Sequence, residues 1–244
     1  MVDATDLFDL YYSLTKQFSE SMEQPVNVNF SRPLLELRMR LIEEELAELR
    51  DEFIALDKEL KEDRHAVNHE TLTRFLKELC DLEYVTAGYC ATFGLPHVPH
   101  KMSMFVAVDD NKLTSTSNAL SKLSMDDRWE LFNNVESSVQ DISRFNSRII
   151  NIFTYSVSGN DESPLYLVLR LATSLSELSW AINRLAESME LPFMEAFIRV
   201  HKSNMSKLGE DGKPVYREDG KVKKGPNYRK PDLSDLINSR LDVK

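Results

Sequence analysis

Glycine and proline are scarce in this sequence, 7 and 9 among 244 residues. So few turn formers leave most of the chain for long regular elements and exclude loop-rich, collagen-like and low-complexity architectures. Cysteine is scarcer still. Cys80 and Cys90 lie in one apolar helical pattern with no CxxC partner. Neither a disulfide scaffold nor a zinc site is encoded, and both read as reduced core residues. No stretch approaches the roughly 20 uncharged apolar residues of a membrane span, and the N-terminus, MVDATDLFDL, is acidic where a signal peptide is basic and then apolar. A cytoplasmic protein with no membrane partner is expected. Positive charge is also in deficit: 30 basic against 40 acidic residues leave a net charge of −10. That balance argues against a nucleic-acid binder, which has to neutralise many phosphates.

What the sequence does have is helical periodicity. Residues 4–20 predict a first helix, and the segment from Pro25 to Pro33 an extended connection, with Pro33 biasing Arg32 away from helix. From Leu34 to about Lys61, Ile42, Leu46, Leu49 and Phe53 recur at the four-three-four spacing of one buried face. A polar segment, KEDRHAVNHE, leads to a helix from about Thr71 to Phe93, stopped by Gly94 and Pro96. A further helix is expected from Phe193 to about Lys207. Beyond it, KPVYREDGKVKKG reads as a β-hairpin turning at Asp219-Gly220. Basic residues cluster between Arg199 and Lys230, so an acidic body carries a basic tail suited to a local anionic ligand.

The chain also matches itself. A shift of 96 residues lays Glu78–Pro96 on Ser174–Pro192, pairing Leu79 with Leu175, Leu82 with Leu178 and Tyr84 with Trp180. A slightly different offset lays Leu41–Leu49 on Asn134–Ile142. The expected architecture is therefore all-α, a helical bundle of two degenerate repeats with a short C-terminal β-hairpin. Its boundaries are residues 1–110 for the first repeat with an acidic metal site, 111–208 for the second, degenerate repeat, and 209–244 for the hairpin and basic tail. The whole forms one compact unit.

Two acidic motifs carry the chemistry: EExxE at Glu44, Glu45 and Glu48, and ExxD at Glu78 and Asp81. Taken alone, EEELAEL reads as an ordinary solvated helix face. ExxD is different, because it interrupts a helix that is apolar almost all round, where an isolated carboxylate costs several kcal/mol unless paired, protonated or metal-bound. Two such helices packed antiparallel gather carboxylate oxygens that a hard divalent cation neutralises, and magnesium suits oxygen-only ligands and polyphosphates. Neither motif is ExxH, which disfavours a di-iron bundle.

With these motifs, and with Val200–Leu233 as its ending, the sequence resembles the all-α NTP pyrophosphohydrolase superfamily, MazG-like and phosphoribosyl-ATP pyrophosphohydrolase-like in its branch. The resemblance implies Mg²⁺, with Mn²⁺ as a substitute, held by Glu45, Glu48, Glu78 and Asp81. It implies Glu44 as the group activating water, and Lys202, Asn204 and Lys207 as phosphate contacts; read as residues, these last three are equally a solvated helix end. The implied reaction converts a nucleoside triphosphate to monophosphate and pyrophosphate in nucleotide-pool house-cleaning, in a homo-oligomer, a dimer. The chain departs from a single-repeat pattern: Ser138, Asp141, Ser174 and Glu177 stand opposite Glu45, Glu48, Glu78 and Asp81, and only a vestige of the basic segment, Asp109–Leu113, follows the first copy. One site per chain, built from both halves, is expected. The alternatives are phosphoribosyl-ATP pyrophosphohydrolase of histidine biosynthesis and a non-enzymatic helical adaptor.

Overall fold

A computed structural model describes residues 4–63, 67–97, 116–155, 163–209, 211–218 and 221–241. The described residues form eight α-helices: α1 (Ala4–Ser21), α2 (Arg32–Glu62), α3 (His69–Phe93), α4 (Thr116–Lys122), α5 (Met125–Tyr155), α6 (Pro164–Ser188), α7 (Phe193–Met205) and α8 (Ser234–Leu241). The all-α expectation holds.

The long helices follow their apolar stripes. In α2, Leu35, Met39, Ile42, Leu49, Phe53, Leu56 and Leu60 are buried along one face. Pro33 does not keep Arg32 out of this helix as expected; it occupies the first turn, where its missing N–H has no intrahelical acceptor to lose. α3 begins at Asn68, whose side chain accepts from Glu70 N at 2.8 Å, and ends at Gly94 with φ 64°. The positive φ favours glycine at this stop, and a Cβ there would also push aside Asn27 Oδ1, 2.9 Å away. The extended segment after α1 satisfies free carbonyls at the end of α3, with Asn27 N on Ala91 O and Val28 N on Thr92 O.

α3 is buried over most of its surface and forms the axis of the bundle, packed by α1, α2, α6 and α7. Pairs joining α2 to α3 run in opposite senses, Arg74 to Glu52 and Thr71 to Glu59, so these helices are antiparallel. α2 and α5 are antiparallel as well, with Arg50 on Glu136 and Arg128 on Asp57. The second contact is an ion pair inside the core: Arg128 and Asp57 are each 2% exposed, and Trp129 Nε1 donates to the other Asp57 oxygen at 3.0 Å. Phe53 stacks on Phe132 beside it at 4.2 Å between ring centres. α6 has the length and apolarity of a membrane-crossing helix, yet more than half of its most apolar window, 56%, is buried in the bundle.

The hairpin expectation is corrected. Among the described residues no strand forms: Tyr216 and Val222 make a single antiparallel bridge, flanked by Arg217 N on Lys221 O and Lys223 N on Val215 O. The arms carry Lys221, Lys223 and Lys224 and are bounded by Pro214 and Pro226, which lack ladder donors, so pairing stops there. The tail is held by other elements, as in the bond from Gly225 N to Lys207 O. The tip at Asp219-Gly220 and the vestige at 109–113 lie outside the described residues. α2 and α5 each have 31 residues, and α3 and α6 each have 25.

Candidate active site

The antiparallel register of α2 and α3 brings the acidic motifs together. One carboxylate oxygen from each of Glu45, Glu78 and Asp81 lies within 4.8 Å of the other two. Glu78 is 8% exposed, whereas Glu45 and Asp81 are half-buried. Glu48 is exposed and stands outside this group, at the rim of the cavity that Glu45 and Asp81 line; Glu44 is on the same rim.

Such crowding is costly without cations. Burial pushes the Glu45 carboxyl up to about 8, Asp81 and Glu48 add repulsion, and Lys221 opposes them. Burial also pushes Glu78 up to about 7, against the pull of Lys77. Lys77 Nζ lies 2.8 Å from Glu78 and 2.7 Å from Asp81, and Lys221 Nζ reaches Glu44 and, at 3.7 Å, Glu45. Burial opposes the charge on Lys77, but the two carboxylates outweigh it and its ammonium is held above the ordinary value. The donors are oxygen only, partly desolvated and incompletely neutralised by two ammonium groups, which fits a hard divalent cation.

Facing the acids, the cavity has a basic wall. It measures about 570 Å³ and is lined by Lys77, Asn204, Lys207, Arg217, Lys221 and Lys224 besides the carboxylates. Asn204 is buried on α7, and Lys207 follows that helix with its ammonium lowered by burial. Lys202, on the same helix, is exposed and does not line the cavity. Sequence reasoning missed Lys77, although its spacing to Glu78 and Asp81 makes it their neighbour on one helix. It also missed Lys221, whose approach depends on the tail folding back over α2 and has no periodic signal.

A second cavity of about 320 Å³ opens from the same acids, sharing Glu45, Asp81, Asn204, Lys207 and Lys221 with the first. Phe18, Leu37, Leu41, Tyr84 and Val85 supply apolar walls, with Arg38 and Gln24 as polar groups. Tyr84 is fixed by His201 Nδ1 at 3.0 Å and by edge contact with Phe18. In the second half, Ser138, Asp141 and Glu177 share a separate cavity of about 400 Å³ with Trp180.

One comparison bears on this arrangement, with a family whose members are hydrolases acting on phosphoric anhydride bonds. Residues 11–101, less than half of the chain, match the family model described as phosphoribosyl-ATP pyrophosphohydrolase, and over that segment the chain is similar to this family. The matched segment carries both acidic motifs and stops well before Lys207. No curated protein and no solved structure matches the chain.

Proposed function

We propose that the protein is a Mg²⁺-dependent nucleoside triphosphate pyrophosphohydrolase that converts a (d)NTP and water to (d)NMP and pyrophosphate in nucleotide-pool house-cleaning. The observation that carries this reading is the meeting of Glu45, Glu78 and Asp81 oxygens within 4.8 Å, in a cavity whose opposite wall is basic. Glu45, Glu78 and Asp81 would hold the metal, with Glu48 at the rim; Mn²⁺ is a substitute of the same donor preference. Bound there, the cation supplies charge neutralisation for the polyphosphate and polarises the phosphoryl group. Lys207 and Asn204 donate to phosphate oxygens, joined by Lys221 and Lys224. Glu44 is the candidate to accept a proton from the attacking water; its ion pair with Lys221 has to open for that role.

The acids come from α2 and α3 and the phosphate donors from the end of α7 and the tail, which supports one site per chain built from both halves. The division into residues 1–110, 111–208 and 209–244, and the origin of the halves by duplication, are part of the same reading. They are supported by the matched lengths of α2 with α5 and α3 with α6, and by the common cavity of Ser138, Asp141 and Glu177. A dimer and a cytoplasmic location remain proposals drawn from the sequence.

A second reading, phosphoribosyl-ATP pyrophosphohydrolase itself, is favoured by the description of the matched family. Incubation with Mg²⁺ and each common (d)NTP, and separately with phosphoribosyl-ATP, tests both. Pyrophosphate from nucleoside triphosphates, lost in Asp81→Ala, is the expected result. Phosphoribosyl-AMP as the efficient product would select the second reading, and full activity in Asp81→Ala would remove the site assignment.

A further inference from the structure

Arg38 is out of place in α2. It stands on the apolar stripe between Leu35 and Ile42 and is 6% exposed. Its Nε has no hydrogen-bond partner, and one terminal nitrogen reaches only Gln24 Oε1, at the outer limit of 3.5 Å. Among the described residues no carboxylate pairs with it. Burial lowers its pKa to about 10, so it stays charged at neutral pH. A buried guanidinium with a single long hydrogen bond is costly, and an acceptor entering the cavity it lines relieves that cost. That cavity holds the flat apolar side chains Phe18 and Tyr84, opens onto the acidic cluster, and is of a size for one planar ligand ring.

We propose that Arg38 reads the base of the nucleotide and selects a 6-oxopurine, guanine or hypoxanthine. A guanidinium offers N–H groups in a rigid planar fork. Guanine and hypoxanthine present two acceptors side by side, O6 and N7; adenine replaces O6 with an N6 amine that opposes the fork. At the corresponding edge cytosine has an N4 amine and uracil a lone O4; cytosine's paired acceptors, N3 and O2, lie on a different edge, so a preference for CTP is the result that would show the fork reading that edge instead. The apolar walls, Phe18 and Tyr84 among them, do not distinguish one base from another, so the discrimination falls to Arg38.

This inference rests on the pyrophosphohydrolase reading, and one set of assays separates the two. With Mg²⁺ present, kcat/KM is measured for GTP, ITP, 7-deaza-GTP, ATP, CTP and UTP. GTP and ITP should exceed ATP, CTP and UTP by roughly tenfold or more, and 7-deaza-GTP, which lacks the N7 acceptor, should fall about tenfold below GTP. In Arg38→Met the GTP-to-ATP ratio should collapse towards one, with circular dichroism reporting intact helices. The 7-deaza comparison uses the unmodified protein, so it decides the question even if that variant does not fold. Equal use of 7-deaza-GTP and GTP, or another base preferred over guanine, overturns the role of Arg38 while pyrophosphate release stands. Absence of pyrophosphate from every triphosphate overturns both.

Discussion

Replacing Glu45 with Gln is expected to stabilise the metal-free protein and inactivate it in the same step. In the fold the Glu45 carboxyl titrates at about 8 against an ordinary value of 4.5, raised first by burial and then by Asp81 and Glu48. Between those two values the folded chain holds a proton that the unfolded chain has lost, so stability falls as pH rises through this window and stays low above it. At pH 7 the difference corresponds to about 3 kcal/mol. The amide keeps the side chain's shape and carries no charge to desolvate, so Glu45→Gln should recover roughly 1–3 kcal/mol, or about 2–10 °C in melting temperature for a chain of this length. The assay is thermal unfolding in chelator from about pH 5 to pH 9, repeated with Mg²⁺. The gap between variant and wild type should widen with pH, and Mg²⁺ should raise the melting temperature of the wild type much more than that of the variant. A variant that melts below the wild type in chelator at pH 8 would refute the reasoning, because it would mean that the carboxylate is already compensated without metal.

Other outcomes follow from the same arrangement. Mg²⁺ affinity, measured by calorimetry, should climb as pH rises from about 6 to 8, since Glu45 and Glu78 titrate at about 8 and about 7 and give up protons to the cation; a flat profile would contradict the ligand set. Lys207→Ala should raise KM or lower kcat without changing Mg²⁺ binding, whereas Glu177→Ala should leave kinetics unchanged; calorimetry with a non-hydrolysable triphosphate should give one site per chain, and two would show that the cavity around Ser138 and Asp141 also binds nucleotide. Arg128→Met should destabilise the fold by about 3 kcal/mol in denaturant titrations, because it leaves Asp57 charged inside the core; a loss under 1 kcal/mol would mean that Trp129 and Lys61, whose ammonium lies 2.8 Å from Asp57, suffice.

The parts of this structure legible in the sequence are those set by local periodicity. Ile42, Leu49 and Phe53 mark the buried face of α2, and Gly94 marks the end of α3, because spacing along one helix and a left-handed stop are local properties. The grouping of Glu45 with Glu78 and Asp81 was legible too, since two acidic pairs on adjacent helices meet once those helices pack antiparallel. Glu48 at the rim and Lys202 outside the cavity show the limit of that logic: a helical wheel gives an angle around one axis and not the depth at which the neighbouring element crosses it. The tail was misread for a related reason. Asp219-Gly220 is a strong local turn signal, but the arms pair only through the single bridge at Tyr216 and Val222, and Lys221 also ties them to the acids of α2. Arg38 carried a signal that went unused, a basic residue at a core position of the Leu35, Met39, Ile42 stripe.

Hydrolysis in water labelled with heavy oxygen tests the central claim most directly. With Mg²⁺ and a nucleoside triphosphate, the account predicts nucleoside monophosphate and pyrophosphate as the only products, with a single labelled oxygen on one of them, and no product at all from Asp81→Ala. Nucleoside diphosphate and labelled orthophosphate would place the cut between the β- and γ-phosphates and contradict it.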